Sequence, residues 1–400
     1  MNQPNPDSGS QVPESAPSRP PATTATALVA AGAQPLRFTP APDHSISVRA
    51  RRSRNLRSAD QGERVQPMRG YEPTYVDIID WCLRITDRIW EDQDVGYIYD
   101  TYRTGCKVYT DSGPMYHVEP VVEATMQSLN AFPDARHIAE DIIWAGNEDE
   151  GFATSHRAIN IGHHLGPWRY GPASGRKIQM WVIANCVSSE NEIFEEWVLY
   201  NQISRLRQCG VDVRAAARQY GNDGLSLPLG AREVTEVERL IGGRIPVPAA
   251  EPSANTDDID GLVRAFYHNL YNRRDLSAID RLYAVNVRWH GTSEREGYGR
   301  ADVRAMARGL MATFPDLGVH VDEVYWMGNA AEGYSVSVRW SGIGSHRGYG
   351  LYGTPTGRRV HLWGLSQLYI SGGRITEEWS LFNEFDVLAQ LLRDDAPAII

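Results

Sequence analysis

Two near-copies of one phrase carry the acids best suited to chemistry. "ITEEWSLFNE" runs from Ile375 to Glu384, and "IFEEWVLYNQ" from Ile193 to Gln202. Side chains alternate across a strand, so if Ser380 faces a cavity, Glu378 and Phe382 face it too, and Trp379 and Leu381 face the opposite layer. The same count turns Glu196 and Tyr200 inward in the first copy. Burial disfavours the charge on a carboxylate and raises its pKa, which suits a base near neutral pH. Glu378 is therefore a candidate general base. The competing reading is an ion-paired structural acid, since ion-pair networks also place carboxylates in clefts.

Other polar residues fall at places where a ligand or a turn would use them. Asp111, in "KVYTDSG", ends a strand-like run and reads as a ligand contact or a satisfied turn residue. His346 and His164 stand in matching Gly-x-His-x-Gly stretches, where they would either donate to a ligand carbonyl or fix a loop. Tyr267 and His268 would reach a cavity mouth or pack a helix. Arg157 and Arg339 sit mid-strand and need acid partners if buried, the nearest being glutamates on a neighbouring strand. Trp340, Tyr349, Tyr352, Trp363 and Tyr369 are mostly core, and a minority lining a cavity would favour a flat apolar ligand. Cys82, Cys106, Cys186 and Cys209 form no Cys-x-x-Cys pair and read as reduced thiols. The adjacent His163 and His164 do not suit a shared metal, so neither metal nor cofactor is expected.

The elements that must position these residues also come in duplicate. At a shift of 182 residues, Phe132 to Gln208 aligns with Phe314 to Gln390 without a gap, with 28 identities in 77 columns. A period this long means two whole domains rather than a solenoid. The units are placed at 71–210 and 254–392, joined by a linker with one short helix, "REVTEVERLI", at 211–253. In the second unit Leu262, Phe266, Leu270, Ile279 and Leu282 recur at helical spacing, and "GRADVRAMARGLMATFPD" is a further helix ending before Pro315. Strand-like runs follow, and "SGGR" at 371–374 is a hairpin turn. Helices followed by a curved antiparallel sheet predict an α+β fold, two tandem cone-shaped domains each enclosing a cavity. Residues 1–70 are rich in Pro, Ser, Ala and Thr and read as a disordered tail, with the basic stretch Arg49 to Arg57 either solvated or resting on the protein's own acidic surface. Residues 393–400 are expected to be a C-terminal tail.

The formal charge of −10 argues against nucleic acid, and no run of about 18 apolar residues is present to span a bilayer. The opening residues lack a basic start and an apolar core, so no secretory signal is read and a cytoplasmic location is expected.

One stretch resembles a known family. "GSHRGYGLYGTPTGRRVHLWGLSQLYISGGRITEEWSLFNEFDVLAQL", with a looser version in the first unit, resembles the SnoaL-like polyketide cyclases of the nuclear-transport-factor-type cone fold. The resemblance implies a hydrophobic polyketide-, steroid- or terpenoid-like ligand and isomerase, dehydratase or cyclase chemistry by proton transfer. It also implies an acid/base Asp on the last strand, which falls on Ser380 and Val198. The assisting Gln and His positions fall on Gly364 and Ser366, or on Val182 and Ala184, and a second acid falls on Asn383 and Asn201. With those groups replaced, the alternative is a non-catalytic small-molecule-binding or assembly module. Relatives that isomerise ketosteroids place their base on the strand that here holds His290. Glu378 and His290 are thus the expected catalytic pair, with Ser380, Ser366, Phe382, Tyr267, His346, Glu196 and Asp111 as expected substrate contacts. The second unit keeps the family phrasing better and is the expected working one. Cone domains commonly pair through their sheets, so the two units are expected to form an internal pseudo-dimer, with further homo-oligomerisation left open.

Overall fold

The computed structural model describes residues 36–51, 62–227, 229, 240 and 257–394. Each unit begins on an amphipathic helix. In α1 (Ile78–Trp90), Ile78, Ile79, Cys82, Ile85 and Ile89 share a buried face, and Asp77 caps the first turn by accepting from the Asp80 amide. The strands β1 (Tyr102–Thr110) and β2 (Gly113–Tyr116) precede α2 (Val118–Ala131). Then come β3 (Arg136–Asn147), β4 (Gly151–His163), β5 (Lys177–Ser189) and β6 (Glu192–Leu199), followed by α3 (Gln202–Cys209) and α4 (Val213–Asn222). The second unit repeats the plan. It has α5 (Ile259–Tyr267), α6 (Ala278–Leu282), β7 (Tyr283–Gly291), β8 (Arg295–Tyr298) and α7 (Gly299–Thr313). It ends with β9 (Gly318–Asn329), β10 (Gly333–Ser345), β11 (Arg359–Ser371), β12 (Arg374–Phe382) and α8 (Glu384–Leu392).

The strand orders are β2-β1-β6-β5-β4-β3 and β8-β7-β12-β11-β10-β9. The sheets are mixed rather than wholly antiparallel, because β1 runs parallel to β6 and β7 parallel to β12. These partners lie far apart in the chain, and only adjacent hairpin strands are obliged to be antiparallel. The β11–β12 turn places Gly372 at φ 55 and Gly373 at φ 70, the left-handed pair that a two-residue hairpin demands. The first unit makes the same turn with Glu190 and Asn191.

The two sheets pack against each other through Trp181, Ile183, Leu199, Leu365 and Leu381, with Trp197, Trp363 and Trp379 around them. Arg157 lies over the Trp379 ring at 4.0 Å and Arg339 over the Trp197 ring at 4.1 Å, an exchange related by the duplication. Arg157 pairs with Glu140, and Arg339 with Asp322 and Glu323, so both mid-strand cations find acids one strand away. The Gln367 side chain donates to the Ser155 carbonyl at 2.9 Å, and Asn185 to the Ser337 hydroxyl at 3.0 Å.

Part of the expected tail belongs to the fold. Residues 36–51 form a strap across the edges of both sheets. The Gly146 amide donates to the Thr39 carbonyl at 2.7 Å, and the Ala41 amide to the Trp326 carbonyl at 3.1 Å. Phe38 is 3% exposed and meets Tyr325 edge to face. Arg51, within the basic stretch, is buried and paired with Asp77 and Asp80. Composition concealed this, because one aromatic and a few backbone bonds anchor a segment that is otherwise polar. Phe38→Ala should lower unfolding stability by about 3 kcal/mol, read from urea melts, as for other buried Phe truncations.

The expected linker also differs in its first part. α4 is capped by Asp212 and docks on α8, with Tyr220 against Phe385 at 5.4 Å. The helix expected over "REVTEVERLI" lies outside the described residues, apart from Leu240.

Candidate functional site

Strand parity holds in both units. Glu378, Ser380 and Phe382 line one cavity of the second unit, together with Tyr267, Tyr271, Tyr283, Trp289 and Ser366. Its volume is about 710 Å³ including the mouth. Glu378 is fully engaged there. The Tyr283 hydroxyl donates to its Oε2, the Ser380 hydroxyl to its Oε1 at 2.5 Å, and the Trp289 indole also bonds it. Burial raises its pKa and these donors oppose the rise. Tyr267 donates to Ser366 at 3.1 Å, and Ser366 lies 2.7 Å from Ser380. Among the described residues, no buried side-chain polar atom on this wall lacks a partner.

His290 does not join Glu378. In the parallel pairing of β12 with β7, Trp289 stands beside Glu378 and His290 beside Trp379. His290 therefore lies on the interface face, stacked on Trp379 at 3.7 Å and paired with Glu296 at 2.5 Å and Glu377 at 3.5 Å. His346 also lies outside the cavity. The Thr356 amide donates to its Nδ1 at 3.3 Å, and its own amide donates to the Arg358 carbonyl, so it fixes the glycine-rich loop. His164 does the same with Ser174 in the first unit.

The first unit holds two chambers. The outer one, about 1350 Å³ including its mouth, is lined by Asp111, Tyr170, Gln202, Arg205 and Tyr220 among others. The inner one, about 680 Å³, is lined by Cys82, His137, Thr154, His156, Cys186 and Val198 among others. Ile89, Trp90, Tyr102, Glu196 and Tyr200 belong to both walls.

Glu196 is 7% exposed and accepts from the Tyr102 hydroxyl at 2.9 Å and from the Cys186 thiol. Burial pushes its pKa up to about 7. Val198 stands where Ser380 serves Glu378, so Glu196 has two donors where its counterpart has three. Asp111 accepts from the Gln202 amide at 3.0 Å; burial pushes its pKa up to about 6, against the pull of that bond and of Arg205. Tyr170 and Tyr220, on the outer wall, both pack against Phe385 of the second unit, which thus braces the first unit's mouth.

Sequence reading missed His137 and His156. The signal was present in the duplication, since at a shift of 182 residues they align with Val319 and Val338. Polar residues that replace apolar core in a sister copy are the ones folding does not require.

A further hollow, about 630 Å³ with its mouth, lies where the units meet, lined by Tyr109, Trp197, Arg339 and Trp363. Arg339 there is committed to Trp197 and to Asp322 at 3.7 Å, as part of the interface. All four cysteines are buried free thiols. No helix among the described residues is long and apolar enough to cross a membrane.

The model of the family described as SnoaL-like polyketide cyclase matches residues 81–209 and again 261–391. A candidate SnoaL-like polyketide cyclase of Jannaschia sp. CCS1 is 18% identical, covering 37% of this chain and 97% of its own, with a TM-score of 0.31. IdmH, a candidate polyketide cyclase of Streptomyces antibioticus, is 17% identical over 33% of this chain and 98% of its own, with a TM-score of 0.29. A SnoaL-like polyketide cyclase of Agrobacterium tumefaciens str. C58 is 15% identical over 32% of this chain and 95% of its own, with a TM-score of 0.27. No curated protein matches the chain.

Proposed function

Because the chain belongs, through both of its units, to the SnoaL-like polyketide cyclase family, we propose that it moves a proton on a hydrophobic carbonyl compound, and that the first unit does the work. The carrying observation is Glu196, which sits on the wall shared by both chambers, is held near neutrality by burial and has few donors. As a carboxylate it takes a proton from the carbon beside a carbonyl. Returning that proton elsewhere gives an isomerase, losing a hydroxyl gives a dehydratase, and attack on a second carbonyl gives a cyclase. Asp111 holds Arg205 and the start of α3 in place. The second unit, with a smaller cavity and a saturated Glu378, is a scaffold that braces the first.

The pairing of Glu378 with His290 loses its support, because the two face opposite sides of their sheet. A binding-only module remains the reading to beat. The test is α-proton exchange of 1-tetralone in deuterated water, followed by NMR. Exchange that persists in Glu378→Gln and vanishes in Glu196→Gln supports the assignment; wild-type exchange at the buffer rate removes it.

A further inference from the structure

The inner chamber contains polar groups that folding alone does not explain. His137 and His156 are each 8% exposed. His156 Nδ1 lies 3.7 Å from Cys82 Sγ, and its Nε2 has no partner among the described residues. Burial pushes the Cys82 thiol up to about 12, so the thiol keeps its proton and is able to donate it to Nδ1 in one tautomer of the ring. In that tautomer, the one the proposal below uses, the proton of the ring sits on Nε2. Asn160 donates to His137 Nε2 at 2.6 Å, which leaves the His137 proton on Nδ1, again without a partner. Burial lowers the pKa of both rings, to about 3 and about 4, so neither carries charge at neutral pH.

The second unit supplies an internal control. At the corresponding positions it has Val319 and Val338, both buried, and Leu368 stands where Cys186 does. The same fold therefore closes this space with apolar side chains. Unpaired buried N–H groups are costly, and nothing in the architecture calls for them.

We propose that the inner chamber is a subsite for a neutral carbonyl oxygen, held by the ring N–H groups of His137 and His156. The proposal rests on the first unit being the working one. Two uncharged donors match an acceptor without formal charge, and a carboxylate would find no counter-ion between them and Glu196. The apolar body of the ligand then fills the outer chamber, and the carbon beside the carbonyl meets Glu196 on the shared wall. As the proton leaves that carbon for Glu196, its electron pair moves onto the oxygen. The same two N–H groups face the enolate that forms.

The test uses the full chain and two probes of one carbon skeleton, 1-tetralone with its ketone and tetralin without it. Wild type should bind tetralone about tenfold more tightly than tetralin, the effect of two ordinary hydrogen bonds. The infrared band of carbon-13-labelled carbonyl should move to lower wavenumber on binding. The double variant His137→Val, His156→Val reproduces the packing of the second unit. It should lose both the preference and the band shift while still binding tetralin. His156→Gln, which keeps an N–H donor, should retain part of the shift. Equal affinity for the two probes in wild type, an unmoved band, or no binding of either would overturn the subsite. A His-dependent band shift without proton exchange keeps the subsite and removes the proton-transfer reading. Exchange that ignores both histidines does the reverse.

Discussion

Glu196→Gln should lower tetralone exchange by a factor of about 100 or more, the usual range for losing a positioned acid or base, and should stabilise the protein at pH 8. The two effects have one cause. Burial raises the Glu196 pKa from 4.5 to about 7. Between those values the folded chain binds more protons than the unfolded chain, so stability falls as pH rises across the window. Over the whole window the loss is about 3 kcal/mol. Gln has no proton to lose, so the gain of the variant should be near zero at pH 4.5 and largest at pH 8. Asp111, raised from 3.8 to about 6, tilts wild type the same way at lower pH, and the variant keeps that contribution. Glu378→Gln should behave differently. The Glu378 pKa is raised too, but the amide would turn N–H groups toward Tyr283, Ser380 and Trp289, which already donate, so this variant should gain less stability at pH 8 than Glu196→Gln and leave exchange intact. Urea melts at several pH values and the exchange rate decide between the two glutamates.

The contrast between them marks how far sequence could reach. Parity along β6 and β12 was legible, because alternation is a property of one strand and needs no neighbour. It placed Glu196, Tyr200, Glu378, Ser380 and Phe382 on their cavity walls. The facing of His290 was not legible. It depends on the register of β7 against β12, which slips between Ile375–Tyr283 and Glu377–Arg288. A slip by an odd number of residues turns a side chain to the opposite face, and nothing local to "VRWHG" records it. The proposed choice of the first unit over the second was also hidden. Likeness to a family phrase measures ancestry along β12. The proposed chemistry depends on whether hydroxyls saturate the glutamate, and that is a matter of which residues three strands bring together. The 36–51 strap escaped for a related reason, since its bonds run to β3 and β9, more than a hundred residues downstream.

His137→Val with His156→Val should make the protein more stable while disabling its inner chamber. At neutral pH the change removes two unpaired buried N–H groups and adds apolar surface of similar size, for a gain of about 2 kcal/mol after the lost contact of His137 with Trp90 is allowed for. The gain should grow in acid. Both rings have pKa values depressed from 6.5, to about 3 and about 4, so below 6.5 the unfolded chain takes up protons that the folded chain refuses. Each histidine then withdraws about 2 kcal/mol of stability by pH 5. In wild type this loss is offset by Glu196 and Asp111, whose raised pKa values give stability back over much of the same range. The double variant keeps the carboxyl effect without the imidazole effect. Its stability should therefore rise from pH 8 to pH 5, where that of wild type stays nearly level. The reciprocal change, Val319→His with Val338→His, should destabilise the second unit and confer no affinity for a ketone, because no uncommitted acid stands beside that space. A double variant that is less stable than wild type at both pH values would mean that the histidines are ordinary core, satisfied by water. The inner chamber would then have no claim to be a place where folding yields to function.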